Sequence, residues 1–414
     1  MKNGINVLSL FDGMSCGQQA LERCGIVVEN YFASEIDKHA IKVTMANYPN
    51  TIQLGSVVDV DGYSLPKIDL LIGGSPCQSF SFAGKRKGMS TKCDTEILTL
   101  EHYLQLKSEG FEFEGQSYLF WEYMRLLNEV KPKYFLLENV MMGEKWENVL
   151  SKAIGVKPIE INSALVSAQN RRRLYWTNIG MKPMGLFGDL ESIIKQPKDK
   201  GILLKDILEN KVDHKYFLSN KMISWLDRHA LKRDVDIKKL DGNQKSSCLT
   251  ATAQVKQNLS TDYIIQLREV KQLNASKESG GKQPYQQNRI YDTNGLSPAL
   301  CANKSDLLVL GGTFRTYKED FGFRRISNGK FGTIPARARE DGSGQNVVSI
   351  NSKIRRLTPL ECERLQTVKD NYTAIASDSQ RYRMLGNGWT VDVIVHIFSY
   401  IKYLTLPNQN KALN

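Results

Sequence analysis

Ile68-Asp69-Leu70-Leu71-Ile72-Gly73-Gly74-Ser75-Pro76-Cys77-Gln78-Ser79-Phe80-Ser81 sets the architecture of this 414-residue chain. A short continuous apolar run bounded by glycines suits a strand buried on both faces of a parallel sheet, so residues 68–72 read as such a strand. The paired glycines permit a sharp turn as the backbone leaves it, and Pro76 stiffens the segment that follows. Cys77 then lies beyond the carboxyl end of a strand, where open α/β sheets bind their ligands. A lone cysteine is more often a small buried hydrophobe than a nucleophile. This one stands where chemistry usually occurs.

Outward from that strand, apolar runs at 5–10, 31–34 and 134–137 alternate with helical spacing at 18–24, 38–47 and 118–130. Alternation of this kind predicts an α/β fold with a parallel sheet. Residues 90–116 form a polar, Glu- and Lys-containing interruption, read as an insertion at the rim. After about Gly180 the chain becomes polar and rich in Lys, Asn, Ser and Gly as far as residue 352. Regular structure then returns. Thr358-Pro359-Leu360-Glu361 is a capping box with proline at the first helical position, opening a helix through Leu365. Residues 389–404 place Val391, Ile394, Phe398, Ile401 and Leu404 at helical spacing. The economical organisation is one domain made from both ends, 1–180 and 353–414, with a second domain, 181–352, inserted between them. Within the insert, Ser247-Cys248-Leu249-Thr250-Ala251, Ser297-Pro298-Ala299-Leu300-Cys301-Ala302 and Ile334-Pro335-Ala336-Arg337-Ala338 form a degenerate repeat. Each precedes polar residues and then an apolar pair, as three strand-and-loop units would; chance recurrence in a Ser/Ala-rich region is the blander explanation.

The apolar fraction of 41% is ordinary, and no run of 18 apolar residues exists to span a bilayer. Residues 1–6 lead straight into a strand, which argues against a signal peptide and for a cytoplasmic protein with no membrane partner. Lys and Arg outnumber Asp and Glu by 56 to 44, giving +12, a balance suited to a polyanion. The seven cysteines are scattered with no Cys-x-x-Cys pair, which argues against a zinc site and a disulfide framework.

Four further segments accompany the Pro76-Cys77-Gln78 core: Leu8-Ser9-Leu10-Phe11-Asp12-Gly13-Met14-Ser15-Cys16-Gly17, Phe135-Leu136-Leu137-Glu138-Asn139-Val140, Gln169-Asn170-Arg171-Arg172-Arg173 and Leu385-Gly386-Asn387-Gly388. Together, and in this order, they make the chain resemble the cytosine-C5 DNA methyltransferases of phage and bacterial type. The resemblance implies an S-adenosylmethionine-dependent, Rossmann-like methyltransferase sheet with an inserted target-recognition domain, acting on double-stranded DNA in a bacterial or phage-infected cell. The enzyme would work beside a cognate restriction endonuclease or in protecting a phage genome. A monomer suffices, because one flipped base needs one active site.

Cytosine C5 is a poor nucleophile, and thiolate addition at C6 makes it a better one. Cys77 is the residue type this needs, and the resemblance gives it that role. Addition pushes charge onto N3, where a donor is required. Glu138, closing an apolar run, suits that task because apolar surroundings help a carboxyl group keep its proton. Asn139 is better suited to fixing the neighbouring loop. Gln169, Arg171 and Arg173 alternate, so a strand would present all three to one face while Arg172 turns away. Two guanidinium forks there could hold the base's carbonyl and a phosphate.

The donor site reads less sharply. Phe11, Asp12, Gly13, Ser15, Cys16 and Gly17 follow the first strand and open a helix, a generic nucleotide signal that by itself suits NAD equally well. The family often has glycine where Ser15 stands. Glu35, ending the second strand, could bind ribose hydroxyls, with Ile36 beside it. Asp59 matches the family's adenine contact, with Val60 next to it, and Asn387 and Trp389 would lie near the cofactor's tail. Trp389 itself departs from the family pattern, which more often has valine there. A stacked cytosine is out of reach of a thiol, so the base must be extruded. Gln78 and Ser79, and the basic triplet Lys85, Arg86 and Lys87 between Gly84 and Gly88, suit a mobile loop closing on the DNA backbone. A tRNA cytosine methyltransferase fits less well because its relatives usually lack a long insert. A catalytically silent DNA-binding regulator would be expected to have lost Cys77 or Glu138.

Overall fold

The computed structural model describes residues 4–76, 89–93, 95–184, 189–217, 239–240, 244–249, 263–266, 312–315, 322–325 and 353–405. The chain divides into two compact units. One comprises residues 1–216, 223–262 and 356–414, and the other residues 217–222 and 263–355.

The larger unit is a mixed α/β fold on a seven-stranded sheet. Its strands are β1 (Ile5–Leu10), β2 (Val28–Ser34), β3 (Ile52–Gln53), β4 (Leu70–Gly74), β5 (Tyr134–Val140), β6 (Ile159–Asn162) and β7 (Arg172–Thr177). They lie in the order β3-β2-β1-β4-β5-β7-β6. All pairings are parallel except those of β7, which runs antiparallel to both β5 and β6. The order reverses between β1 and β4, and at such a switch point connections leave in opposite directions and open a crevice. Register aligns the carboxyl ends along that crevice: Ser34, Leu10, Gly73 and Leu137 form one row, and Gly74 stands opposite Glu138.

The strand read at 68–72 is β4, displaced by two residues. Asp69 stays outside it, its carboxylate accepting the Asn6 amide at 2.9 Å. The strand runs on through both glycines, which corrects their expected role. Neither has a left-handed backbone; both are sites of close approach. A Cβ at Gly73 would lie 3.1 Å from the Leu10 carbonyl oxygen and from the Tyr123 ring.

Helices α1 (Cys16–Arg23), α2 (Lys38–Asn47), α3 (Leu100–Ser108), α4 (Phe120–Val130) and α5 (Glu144–Ile154) precede α6 (Pro359–Leu365), α7 (Asp378–Asn387) and α8 (Val391–Thr405). The capping box of α6 forms as read: Thr358 Oγ1 accepts the Glu361 amide at 3.1 Å, and the Glu361 carboxylate accepts the Thr358 amide at 2.8 Å. The C-terminal helix α8 packs on α1, where Arg23 meets Asp392 at 2.7 Å. The interruption at 90–116 is more than a rim insertion. Met89, Ile97, Tyr103 and Leu106 are buried in the core with Trp121, Leu137 and Trp176. Glu122 on α4 is fully buried, and Tyr103, Lys107 and Arg125 all donate to it at 2.5 to 2.7 Å, so its charge is compensated in place.

In the smaller unit, Tyr263–Gln266 lies beside residues 353–355, and Gly312–Arg315 pairs antiparallel with Gly322–Arg325, position 314 in register with 323. Of the repeat segments, 297–302 and 334–338 fall outside the described residues. Cys248 and Leu249 of the first segment belong to the larger unit.

Candidate active site

Glu138 is the centre of the constellation at the carboxyl ends of β4 and β5. It is 8% exposed. Because β7 runs antiparallel to β5, with Glu138 opposite Tyr175 and Val140 opposite Arg173, Arg173 is a diagonal neighbour on the same face. Arg173 Nε stands 3.0 Å from Glu138 Oε1. Burial alone would weaken the guanidinium's hold on its proton, but Glu138, Cys248 and Tyr175 together outweigh this and strengthen it. The other oxygen, Oε2, accepts from Trp389 Nε1 at 3.2 Å.

Asn139, the next residue, donates from Nδ2 to Ser75 Oγ at 3.0 Å and to the Ser75 carbonyl at 3.4 Å. It thereby holds the segment entering Pro76 and Cys77. Cys77, Gln78, Ser79, Lys85, Arg86 and Lys87 lie outside the described residues.

The arginine segment divides its work. Arg171 and Arg173 emerge on one side, both reaching Cys248 Sγ, at 3.4 and 3.7 Å. Arg172 turns away to a two-point pair with Glu160. Gln169 and Arg171, however, precede β7, and their polar atoms are engaged by the protein itself. The Arg171 guanidinium, 3% exposed, donates to the carbonyls of Leu249, Gly386 and Gly388 at 2.9, 3.2 and 2.9 Å. Gln169 accepts the Leu249 amide at 2.7 Å and donates to the Leu365 carbonyl and to Gln366. Of the three side chains expected on one face, Gln169 and Arg171 are occupied by protein groups, and Arg173 faces Glu138 and also donates to the Arg172 carbonyl at 2.8 Å. Nothing in the spacing separates a clamping arginine from a catalytic one.

The loop after β1 makes the donor side. Phe11, Gly13 and Ser15 all have left-handed backbones, at φ 57, 58 and 62°. Ser15 therefore sits where glycine is conformationally suited. Gly13 donates its amide to Glu35 Oε2 at 2.7 Å, while Glu35 Oε1 accepts the amides of Ile36 and Asp37 at 2.7 and 2.8 Å. Ile36 is 71% exposed, an apolar side chain held open beside that carboxylate. Asp59, in a short 3-10 turn after β3, is exposed, and its neighbour Val60 is buried. Asp12 turns inward, where Tyr31 Oη donates to its Oδ1 at 2.8 Å, and burial raises its carboxyl to about 6. Burial pushes the Cys16 thiol up to about 12, and its sulfur accepts the Trp389 amide. Cys16 is therefore a packing thiol, touching the glycine turn of the last motif, where a Cβ on Gly388 would lie 3.5 Å from Cys16 Sγ. Asn387 closes α7 and is exposed.

Two links were not legible beforehand: the Trp389 bond to Glu138, and the place of Cys248 and Leu249 under the arginine segment. The departure of Trp389 from the family pattern was the one signal for the first. Ser247-Cys248-Leu249 had stood out only as part of a repeat.

Comparison with known proteins agrees with this geometry. At 28% identity, covering 98% of this chain and 99% of the relative, the chain is similar to the orphan methyltransferase M.SPRI of Bacillus phage SPR. It is 27% identical to the type II methyltransferase M.HgiCI of Herpetosiphon aurantiacus, over 94% of this chain and 95% of that one. Among solved structures, the Entamoeba histolytica methyltransferase EhMeth superposes with a TM-score of 0.59 at 15% identity, over 98% of this chain and all of that one. The S. pombe Dnmt2 methyltransferase does so with a TM-score of 0.53 at 14%, over 97% and 100%. At such identities these two speak for the fold alone. The C-5 cytosine-specific DNA methylase profile matches residues 5–403, nearly the whole chain, and the chain belongs to that family of DNA methyltransferases.

Proposed function

We propose that the chain methylates C5 of a cytosine extruded from double-stranded DNA at a specific sequence, with S-adenosylmethionine as donor and Cys77 as nucleophile. The observation that carries this reading is the register of β4 against β5. Gly74 lies opposite Glu138, so the segment leading to Cys77 departs from the sheet beside a buried carboxyl group that is ion-paired at one oxygen and hydrogen-bonded at the other.

The Cys77 thiolate adds to C6, the C5=C6 electron pair moves onto the ring, and C5 becomes nucleophilic. Glu138 serves the ring nitrogen at which charge develops, and Arg173 holds Glu138 in place while its planar fork offers further donors to the base. After C5 has taken the methyl group, its proton passes to water, the C5–H pair re-forms the C5=C6 bond and the thiolate leaves from C6. Gln169 and Arg171 act by holding the segments around this pocket.

The residues present fit the donor. A carboxylate has about four acceptor positions, and three amides on Glu35 leave room for a ribose hydroxyl. Exposed Ile36 offers an apolar surface to a purine, with Asp59, Val60, Phe11 and Asn387 on the surrounding loops. The left-handed loop carries Gly13, Ser15, Cys16 and Gly17 into α1, whose N-cap lacks a side-chain bond and leaves first-turn amides for an anionic group. When bound, S-adenosylmethionine supplies the electrophilic methyl group.

Gln78, Ser79, Lys85, Arg86 and Lys87 are assigned to DNA contacts, and residues 181–352 to target recognition. The relatives named orphan and type II methyltransferases support a role in phage self-protection or beside a cognate endonuclease; the chain is assigned to the bacterial cytoplasm, and to a monomer because one flipped base needs one active site. No helix among the described residues is long and apolar enough to cross a membrane.

Incubation of unmethylated DNA with the protein and S-adenosylmethionine, followed by nucleoside mass spectrometry and base-resolution sequencing, tests this. A 5-methylcytosine product at one sequence, absent with Cys77→Ala while DNA binding persists, is the expected result. Product on tRNA alone, or none, would overturn it.

A further inference from the structure

We propose that Trp389 is a positioning residue for Glu138, its indole N–H fixing the plane of the carboxyl group that Arg173 holds from the other side. The inference rests on the assignment of Glu138 to the base.

A carboxyl group bonded at one oxygen still swings about its last torsion. A charge held against one oxygen and a donor on the other restrict that freedom. Arg173 Nε is ion-paired with Oε1 at 3.0 Å and Trp389 donates to Oε2 at 3.2 Å. Room for the indole comes from Gly74, where a Cβ would lie 2.9 Å from Trp389 Nε1 and 3.1 Å from Glu138 Oε2. Any side chain there would wedge the pair apart. This accounts for the second glycine of the strand.

The tryptophan is itself immobilised from both sides of its backbone. Before it, the Gly388 carbonyl accepts from Arg171 at 2.9 Å and from Gln366 at 3.3 Å. At the residue itself, the amide reaches Cys16 Sγ. After it, the Thr390 hydroxyl donates to Gln366 Oε1 at 2.8 Å and accepts from Ser163 at 2.8 Å. A donor fixed by so many ties is pre-organised, which is what a positioning contact needs to be effective. An indole donates and cannot accept, so Trp389 orients the carboxyl without competing for a proton bound for the base.

The test is Trp389→Phe, alone and combined with Glu138→Gln, in the full-length protein. Turnover of the single variant should fall about tenfold, the scale of one hydrogen bond to a charged group. The KM for S-adenosylmethionine and the Kd for DNA should hold within about twofold. In the Glu138→Gln background the tryptophan change should cost no further turnover, because the two residues act as a unit. Equal losses in both backgrounds, or a loss confined to cofactor KM, would make Trp389 a packing or cofactor residue and overturn the inference. Should Trp389→Phe fail to fold, benzothienylalanine at 389 keeps the ring shape, replaces N–H by sulfur and carries the same expectations. If the unaltered protein yields no 5-methylcytosine, or Glu138→Gln turns over normally, the assignment of Glu138 fails and this inference with it. If both controls behave and Trp389→Phe does not change turnover, the inference alone fails.

Discussion

Two loops flank the crevice, and their backbones differ. The loop after β1 places three left-handed residues within five positions and is bonded through its backbone to Ser34, Glu35, Thr44 and Tyr372. The turn at Gly386–Thr390 has no left-handed residue and is held by Arg171, Gln366, Ser163 and Cys16. The first stores conformational strain where a ligand can repay it; the second spreads its stability over many side-chain bonds. A loop that must admit and release a cofactor is better served by strain, and a wall that holds a catalytic group by bonds.

Four changes would break or sharpen that contrast. The largest effect belongs to Arg171→Met, which strands three buried carbonyls and should cost about 3–5 kcal/mol in chemical denaturation. A loss under about 1 kcal/mol would mean the turn does not depend on the guanidinium. Next comes Gly388→Ala. Its backbone is ordinary, but a Cβ would meet the Met14 methyl at 2.9 Å and the Met384 carbonyl oxygen at 3.1 Å, so about 1–3 kcal/mol of overpacking is expected.

Gly13→Ala isolates the other kind of cost. Nothing lies within 4 Å of the added atom, yet φ is +58°, so the loss should be about 1 kcal/mol and purely conformational. If Gly13→Ala proved costlier than Gly388→Ala, the contrast would be inverted.

The fourth change tests the same loop through pH. Asp12 titrates near 6 when folded against 3.8 unfolded because burial disfavours its charge. Below about pH 4 both states hold the proton. As pH rises through 4 to 6 the unfolded chain releases it first, so stability falls and the penalty is complete above 6. Asp12→Asn should therefore gain up to about 3 kcal/mol relative to the parent between pH 4 and pH 7. A pH-independent difference between the two melting curves would dismiss the buried carboxylate as its source.

How much of this was legible follows from the range of each interaction. Strands and helices were readable because apolar periodicity is local, and the α6 capping box because its two partners lie three residues apart. Glu138 and Arg173 were each readable as motif residues, but their pairing was not. What else escaped depends on contacts across hundreds of residues. Gly74 was assigned a turn because the indole that needs the space comes from position 389. Arg171 read as a substrate residue because the carbonyls it binds belong to 249, 386 and 388. The 90–116 segment read as peripheral because its buried residues are spaced too irregularly to mark a face.

Sequence separation also sets when the site can exist. Glu138 meets Trp389 across 251 positions, and Arg23 meets Asp392 across 369. Loop closures of that span form slowly, and during synthesis they must wait for the last helices to emerge. Residues 5–177 supply every strand of the seven-stranded sheet, but until residue 389 is made Glu138 has one partner rather than two, and α1 lacks the helix that packs on it. The site is therefore completed last, when the C-terminal helices emerge.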